Sequence, residues 1–195
     1  MISERKGILT MKKYYELSVA GLKRDLQLFP VNEELYIAAF ILFGDVELTE
    51  KCAEALLEKA PAFDILIVAE AKGIPLAYEF ARKAGRNDYI VARKKPKVYM
   101  EDVVFASVNS ITTRGGQTLC VGKKEADMMK GKRVLILDDV ISTGQSLLAL
   151  EKLVNNCGGR IVGKMAVLAE GDAADRDDII FLEKLPLFDG EGNAM

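Results

Sequence analysis

Histidine is absent from this chain of 195 residues, and only three cysteines and five prolines occur. The missing histidine excludes Ser-His-Asp triads, Cys-His nucleophiles and His-containing zinc sites. Any chemistry must rest on carboxylates, lysine, arginine, hydroxyls or backbone groups. The cysteines, Cys52, Cys120 and Cys157, are odd in number and far apart, so they form neither a C-x-x-C motif nor a fully paired disulfide set. A reduced, cytoplasmic protein is the expectation. Charge of one sign is also lacking: 27 basic against 29 acidic residues leave a net charge of −2. That balance gives no overall attraction to nucleic acid or to an anionic membrane. The longest apolar run, 35–43, falls far short of the ~20 residues that cross a bilayer, and is expected as a buried strand or helix. The opening stretch MISERKGILTMKKYYELSV has no apolar core and does not read as a signal peptide.

What is present is the composition of one globular domain over 1–195, with half of the residues hydrophobic, 29% charged and no internal repeat. Short apolar runs alternate with amphipathic stretches. DILIVA (64–69), DYIVA (88–92), RVLIL (133–137) and 160–169 read as strands, with 178–182 as a last one. Residues 73–84 place Ile74, Ala77, Phe80, Ala81 and Ala84 at helical spacing. Residues 146–157 do the same with Leu147, Leu150, Leu153 and Val154, and Gly158-Gly159 stops the helix. A further helix is expected over 50–59, capped by Thr49. The extended pieces 103–108 and 118–121 flank a Gly115-Gly116 turn. This alternation predicts an α/β class with a parallel, Rossmann-like sheet flanked by helices. Residues 14–32 are not cleanly periodic, so 1–35 is expected as an elaboration beside a core at 60–170. Residues 189–195, small and polar, are expected as a flexible tail.

Ligands of such sheets bind beyond the carboxyl ends of the strands. One strand end stands out: 134–146 reads VLILDDVISTGQS. Asp138 and Asp139 can accept hydrogen bonds from a diol or hold water on a metal ion. Ser142, Thr143, Gly144, Gln145 and Ser146 open a helix and offer hydroxyls and free N–H groups to a phosphate. Ribose 5-phosphate satisfies both halves. A plain capped helix after a polar strand end is the bland alternative.

The string resembles the 5-phosphoribosyl 1-diphosphate (PRPP) signature of the type I phosphoribosyltransferases, closest to the adenine and xanthine (purine) enzymes, and the resemblance extends over about 60–170. It implies that fold, with a small hood partly from the N-terminus. Asp138 and Asp139 are then at the ribose hydroxyls and 142–146 at the 5-phosphate. AEAKG (69–73) matches the family's diphosphate loop, implying Ala71, Lys72 and Gly73. RKKPK (93–97) resembles its basic stretch, implying Arg93, Lys94 and Lys97. Asp138, Asp139, Lys72 and Arg93 are the implied catalytic set. Mg2+ is the implied cofactor, held through PRPP and water near the diacid, and a homodimer the implied assembly. Residues 100–121 would be the loop that covers the site.

Two departures bear on the base. Hypoxanthine-guanine enzymes carry an acid directly before the Thr-Gly, where this chain has Ser142, which suits an adenine-type enzyme, with xanthine next. Adenine enzymes also carry a glutamate in the covering loop, whereas no acid lies between Ala106 and Val121. Leu28, Phe29 and Asn32 are the candidate base-binding residues, and Glu170 and Asp139 the candidates for moving the purine's proton. A PRPP-sensing regulator without turnover and a transferase with a non-purine substrate stay open.

Overall fold

The computed structural model of the chain describes residues 12–108 and 117–195. From the amino end come β1 (Tyr14–Val19), β2 (Leu22–Pro30), β3 (Tyr36–Ala38), α1 (Val46–Lys59), β4 (Ile65–Ala69), α2 (Ile74–Lys83) and β5 (Ile90–Ala92). There follow β6 (Val104–Val108), β7 (Gln117–Val121), α3 (Lys123–Met129), β8 (Arg133–Ile141), α4 (Gln145–Asn156) and β9 (Arg160–Glu170). A 3-10 turn (Gly171–Asp175) leads into β10 (Ile180–Leu185). The expected parallel sheet is present, five strands in the order β10-β9-β8-β4-β5.

Its two faces follow from the two-residue period of a strand. On β4, Leu66 and Val68 pack with Ala53 and Leu56 of α1 and Leu76 and Phe80 of α2. Ile65, Ile67 and Ala69 point the other way, into a core with Leu147, Leu150 and Leu153 of α4 and the β6–β7 hairpin. A strand covered on both sides needs apolar residues at every position, which is why DILIVA reads as an unbroken run.

The N-terminal part differs from the irregular stretch expected. β1, β2 and β3 form an antiparallel sheet. Leu17 and Val19, and Leu26 and Leu28, are buried at alternate positions while their neighbours face outward. The turn between β1 and β2 uses Ala20 and Gly21, both at positive φ (51° and 77°). That geometry twists with the strands as a type I′ hairpin does, but alanine there hides the usual Asn-Gly signal. The run 35–43 is neither one strand nor a helix: Phe40 and Leu42 are buried while Ile41 and Phe43 are exposed.

Two further expectations are corrected. α1 begins at Val46, and its cap is Asp45, whose carboxylate accepts the Leu48 N–H at 3.0 Å. Thr49 lies inside the helix, its hydroxyl donating to the Asp45 carbonyl at 2.7 Å. The end of the chain, 189–195, is folded back instead of frayed. Asp189 accepts the N–H groups of Glu191 and Asn193, and Met195 N–H donates to Leu187 O. All three cysteines are unpaired and buried; burial pushes the Cys52 thiol up to about 12. No helix among the described residues is long and apolar enough to cross a membrane.

Candidate active site

The ends of three strands, β4, β5 and β8, converge on the site. β8 does not stop before the diacid but carries it: Asp138 pairs in register with Ala166 of β9, and the strand continues to Ile141. Both carboxylates come to the side of the β4–α2 turn, where Asp138 and Asp139 line one cavity with Lys72. Asp138 Oδ1 accepts the N–H of Asp139 at 2.9 Å. Burial, and then the charge of Asp139 beside it, push the Asp138 carboxyl well above the usual carboxylate range. Asp139 is 3% exposed. Its Oδ2 lies 2.9 Å from Lys72 Nζ, close enough for charge pairing. The approach is not along a hydrogen bond, and Oδ2 has no hydrogen-bond donor among the described residues. The contact is an ion pair open to exchange, since the lysine is half exposed.

Lys72 reaches Asp139 because β4 and α2 meet in a tight turn at 69–73. The Glu70–Ala71 peptide in it is cis. Gly73 caps α2 without a side chain. A Cβ at this position would stand 2.8 Å from Val68 Cγ2 and 3.1 Å from Asp138 Oδ1. Only glycine lets the start of α2 press this closely on the diacid.

The loop 142–146 is the other wall. Gly144 turns the chain at φ 74° and begins α4 with no side-chain cap, so the first N–H groups of the helix are left without intrahelical partners. Ser142, Thr143, Gly144, Gln145 and Ser146 line a small cavity of about 90 Å³ with Asp138 and Val140. A second cavity of about 230 Å³ is lined by Ala69, Glu70, Ala71, Lys72, Lys94, Asp138, Asp139, Val140 and Ser146. The two share Asp138, Val140 and Ser146 and so adjoin. Ser146 Oγ also lies 3.0 Å from Gln117 Oε1, tying the loop to the base of the hairpin. The Oε1 of Gln145 is buried without a hydrogen-bond partner among the described residues.

Of the basic stretch, Lys94 lines the larger cavity. Arg93 stands behind it, its backbone paired both ways with Cys120 at 2.8 Å. Lys97 lines neither cavity and sits in a turn closed by Met100 N–H to Lys97 O at 3.0 Å. Glu70 is the member that sequence reasoning missed. Its carboxylate accepts the Lys94 N–H at 3.1 Å and lies 3.4 Å from Arg93 Nη1. The Lys94 hydrogen bond, with Lys97 and Arg93 nearby, holds the Glu70 carboxyl below its ordinary value. Its partners come from the next strand, so no local pattern announces them.

The expected base-side residues lie on β2 and in its turn to β3. Leu28 is buried in the core, paired with Ala38, and Phe29 is partly exposed opposite Ile37. The Asn32 amide oxygen accepts the N–H groups of Glu34 and Leu35, both at 2.9 Å, as a turn residue. None of the three, nor Glu170 or Asp172, lines the two cavities. Of the covering loop, 109–116 lies outside the described residues.

The family model described as the phosphoribosyl transferase domain matches residues 47–187. The chain belongs to this family. It is 36% identical over 128 residues to the hypoxanthine/guanine phosphoribosyltransferase of Methanosarcina acetivorans, a match covering 65% of this chain and 64% of that protein. The chain thus spans less than two thirds of that relative's length. It is 29% identical over 170 residues to the adenine phosphoribosyltransferase of Thermosipho africanus, covering 80% and 89% of the two. Among solved structures it is similar to the adenine phosphoribosyltransferase of Thermoanaerobacter pseudethanolicus, with a TM-score of 0.65 and 22% identity over 82% of this chain and 95% of that one. The last likeness is one of fold.

Proposed function

We propose that this phosphoribosyl transferase domain is a purine phosphoribosyltransferase: it moves the 5-phosphoribosyl group of PRPP to a nitrogen of a purine base and releases diphosphate, a salvage reaction. The observation that carries this is the junction of the two cavities at Asp138, Val140 and Ser146. One ligand with a phosphate at one end and a diphosphate at the other fits across it, with its ribose hydroxyls at the diacid between them. Loop 142–146 and the α4 N-terminus take the 5-phosphate. Lys72 and Lys94 face the diphosphate, with the turn at Ala71 and Gly73 beside it and Arg93 behind, held by Glu70.

As the C1–O bond to diphosphate breaks with oxocarbenium character, the purine nitrogen forms the new C1–N bond. The cationic side chains stabilise the charge that collects on the leaving diphosphate. The carboxylates beside the ribose stabilise the positive charge on the sugar. The nitrogen's proton leaves to a base, for which Asp139 and Glu170 are the candidates. Magnesium fits this donor set. Asp139 offers a carboxylate oxygen that has no hydrogen-bond partner among the described residues and only the ion pair with half-exposed Lys72, and the described residues contain no cluster of three or more metal-ligating side chains. The cation would therefore be held by water on Asp138 and Asp139 and by PRPP oxygens, where it offsets the charge of the diphosphate.

Ser142 places adenine first among the bases and xanthine next, with β1–β3 as the hood. A homodimer is part of the reading. Phe43, Val46 and Tyr78 are exposed around an apolar cavity of about 630 Å³ that reaches Ala71 at the site. Soluble placement in the cytoplasm, without nucleic-acid or membrane partners, completes it. The test is purified protein with Mg2+, PRPP and a panel of adenine, xanthine, hypoxanthine, guanine, uracil and orotate, with nucleotides separated by chromatography. Nucleotide from adenine supports the reading; nucleotide from another purine keeps the class and moves the base. PRPP binding without any product points to a sensor, and product from pyrimidines alone removes the purine reading.

A further inference from the structure

Loop 142–146 has to hold a doubly charged phosphate beside two carboxylates, yet none of its own side chains is cationic. Among the described residues no cation lines its cavity. The α4 N-terminus contributes only about half a positive charge. Arg176, between the 3-10 turn and β10, supplies what is missing. Its Nη1 stands 3.0 Å from the position a Cβ on Gly144 would take, beside the cavity wall at the apex of the loop.

The guanidinium is aimed there by a bracket. Arg176 Nε and Nη2 each donate to Asp178 at 2.8 Å, which leaves the remaining nitrogen turned to Gly144. Asp178 is shared with Lys164 of β9, and Lys164 also pairs with Glu151 of α4 at 3.0 Å. The bracket is thus anchored on the same helix whose first turn forms the loop. Because one carboxylate is divided between two cations, Arg176 keeps attraction for a further anion. Its side chain remains 34% exposed, so it is not sealed from a ligand.

We propose that Arg176 is the positive charge behind the phosphate loop, positioning the Gly144 turn and favouring ligands that carry a phosphate on the ribose 5-carbon. The inference rests on the reading of 142–146 as a phosphate site. It separates from a purely structural bracket by charge. R176Q removes the charge and the bracket, R176K keeps the charge but loses the two-pronged geometry, and D178N keeps the arginine and removes its anchor.

Isothermal titration of the full chain with ribose 5-phosphate and with inorganic diphosphate distinguishes the roles. R176Q is expected to weaken ribose 5-phosphate about ten-fold and diphosphate by no more than about two-fold. R176K and D178N are expected to keep ribose 5-phosphate within about three-fold of the parent. Unchanged ribose 5-phosphate binding in R176Q overturns the proposal, as does an equal loss of both ligands across all three variants. Should R176Q fail to fold, R176M, which keeps an apolar stem without the charge, takes its place: a selective loss of ribose 5-phosphate supports the charge, and unchanged binding refutes it. If the parent protein binds neither ligand, the phosphate-site reading itself falls.

Discussion

Gly73 is the residue across which the β4 turn and the β8 diacid touch, and Gly73→Ala is expected to force them apart. Its φ of −75° suits any residue, so backbone strain plays no part. Alanine would even stabilise by about 0.4–1 kcal/mol through the unfolded chain. Against this, the new Cβ would lie 2.8 Å from Val68 Cγ2, 3.1 Å from Asp138 Oδ1 and 3.4 Å from Asp139 N. Val68 is 0% exposed and cannot swing aside without moving the α2 core. Overpacking of this kind costs about 1–3 kcal/mol, which leaves a net loss of about 1–2 kcal/mol. Urea denaturation reads it as a lowered midpoint at unchanged slope. Affinity for inorganic diphosphate should fall as well, because the turn carrying Lys72 is displaced.

A double-mutant cycle tests the cause. Val68→Ala removes the methyl that the new Cβ meets, so the combined loss should fall short of the sum by about 1 kcal/mol. Additivity within about 0.5 kcal/mol, or a G73A protein as stable as its parent, would refute the reasoning. Gly21→Ala is the control. Its Cβ meets nothing within 4 Å, but φ is +77°. It should cost about 1 kcal/mol from the backbone alone and leave diphosphate binding unchanged.

Asp138 gives a pH signature. Burial and the neighbouring Asp139 raise its carboxyl above 3.8, so the folded state binds this proton more tightly than the unfolded state does. Its contribution to stability therefore falls as pH rises above 3.8, and the full cost is present beyond the folded value. D138N should melt higher than the parent at pH 7, the gap closing toward about pH 4, while ribose 5-phosphate binding is lost; a gap independent of pH counts against this. At the start of α1, D45A should lower stability by about 1 kcal/mol and D45N by less than half of that. Equal losses from both would mean that the pair with Arg24, at 2.7 Å, matters more than the cap.

The core sheet was legible because the central stretches of β4, β8 and β9 (65–69, 134–137 and 165–169) are covered on both faces and so are apolar without interruption. The first hairpin was not, because its turn uses Ala20 at positive φ and Arg24 stands on the inward face of β2, in line with Leu26 and Leu28 and opposite Leu17, where an apolar residue would mark the strand. Arg24 in fact reaches Asp45 and Glu47, a tertiary contact that no local pattern carries. The α1 start was misplaced for a related reason. Val46, 78% exposed, breaks the amphipathic pattern in the first turn, and Thr49, three residues on, resembles a cap while serving the helix from inside.

The candidate site divides the same way. A phosphate needs several N–H groups at one helix start, so the proposed phosphate loop, 142–146, is written contiguously. The proposed diphosphate side draws on two strand ends, and Glu70, which ties them together, is recognisable only once β4 and β5 lie side by side. Arg176 is further removed still, fixed by Asp178, Lys164 and Glu151 from three separate elements. Asn32 shows the limit of reading residues by type. The amide that suits a purine edge also suits an Asx turn. Here partners two and three residues away have claimed its oxygen. That oxygen is therefore not free to read a base, and the purine panel proposed above, repeated with Asn32→Asp, should show an unaltered order of bases.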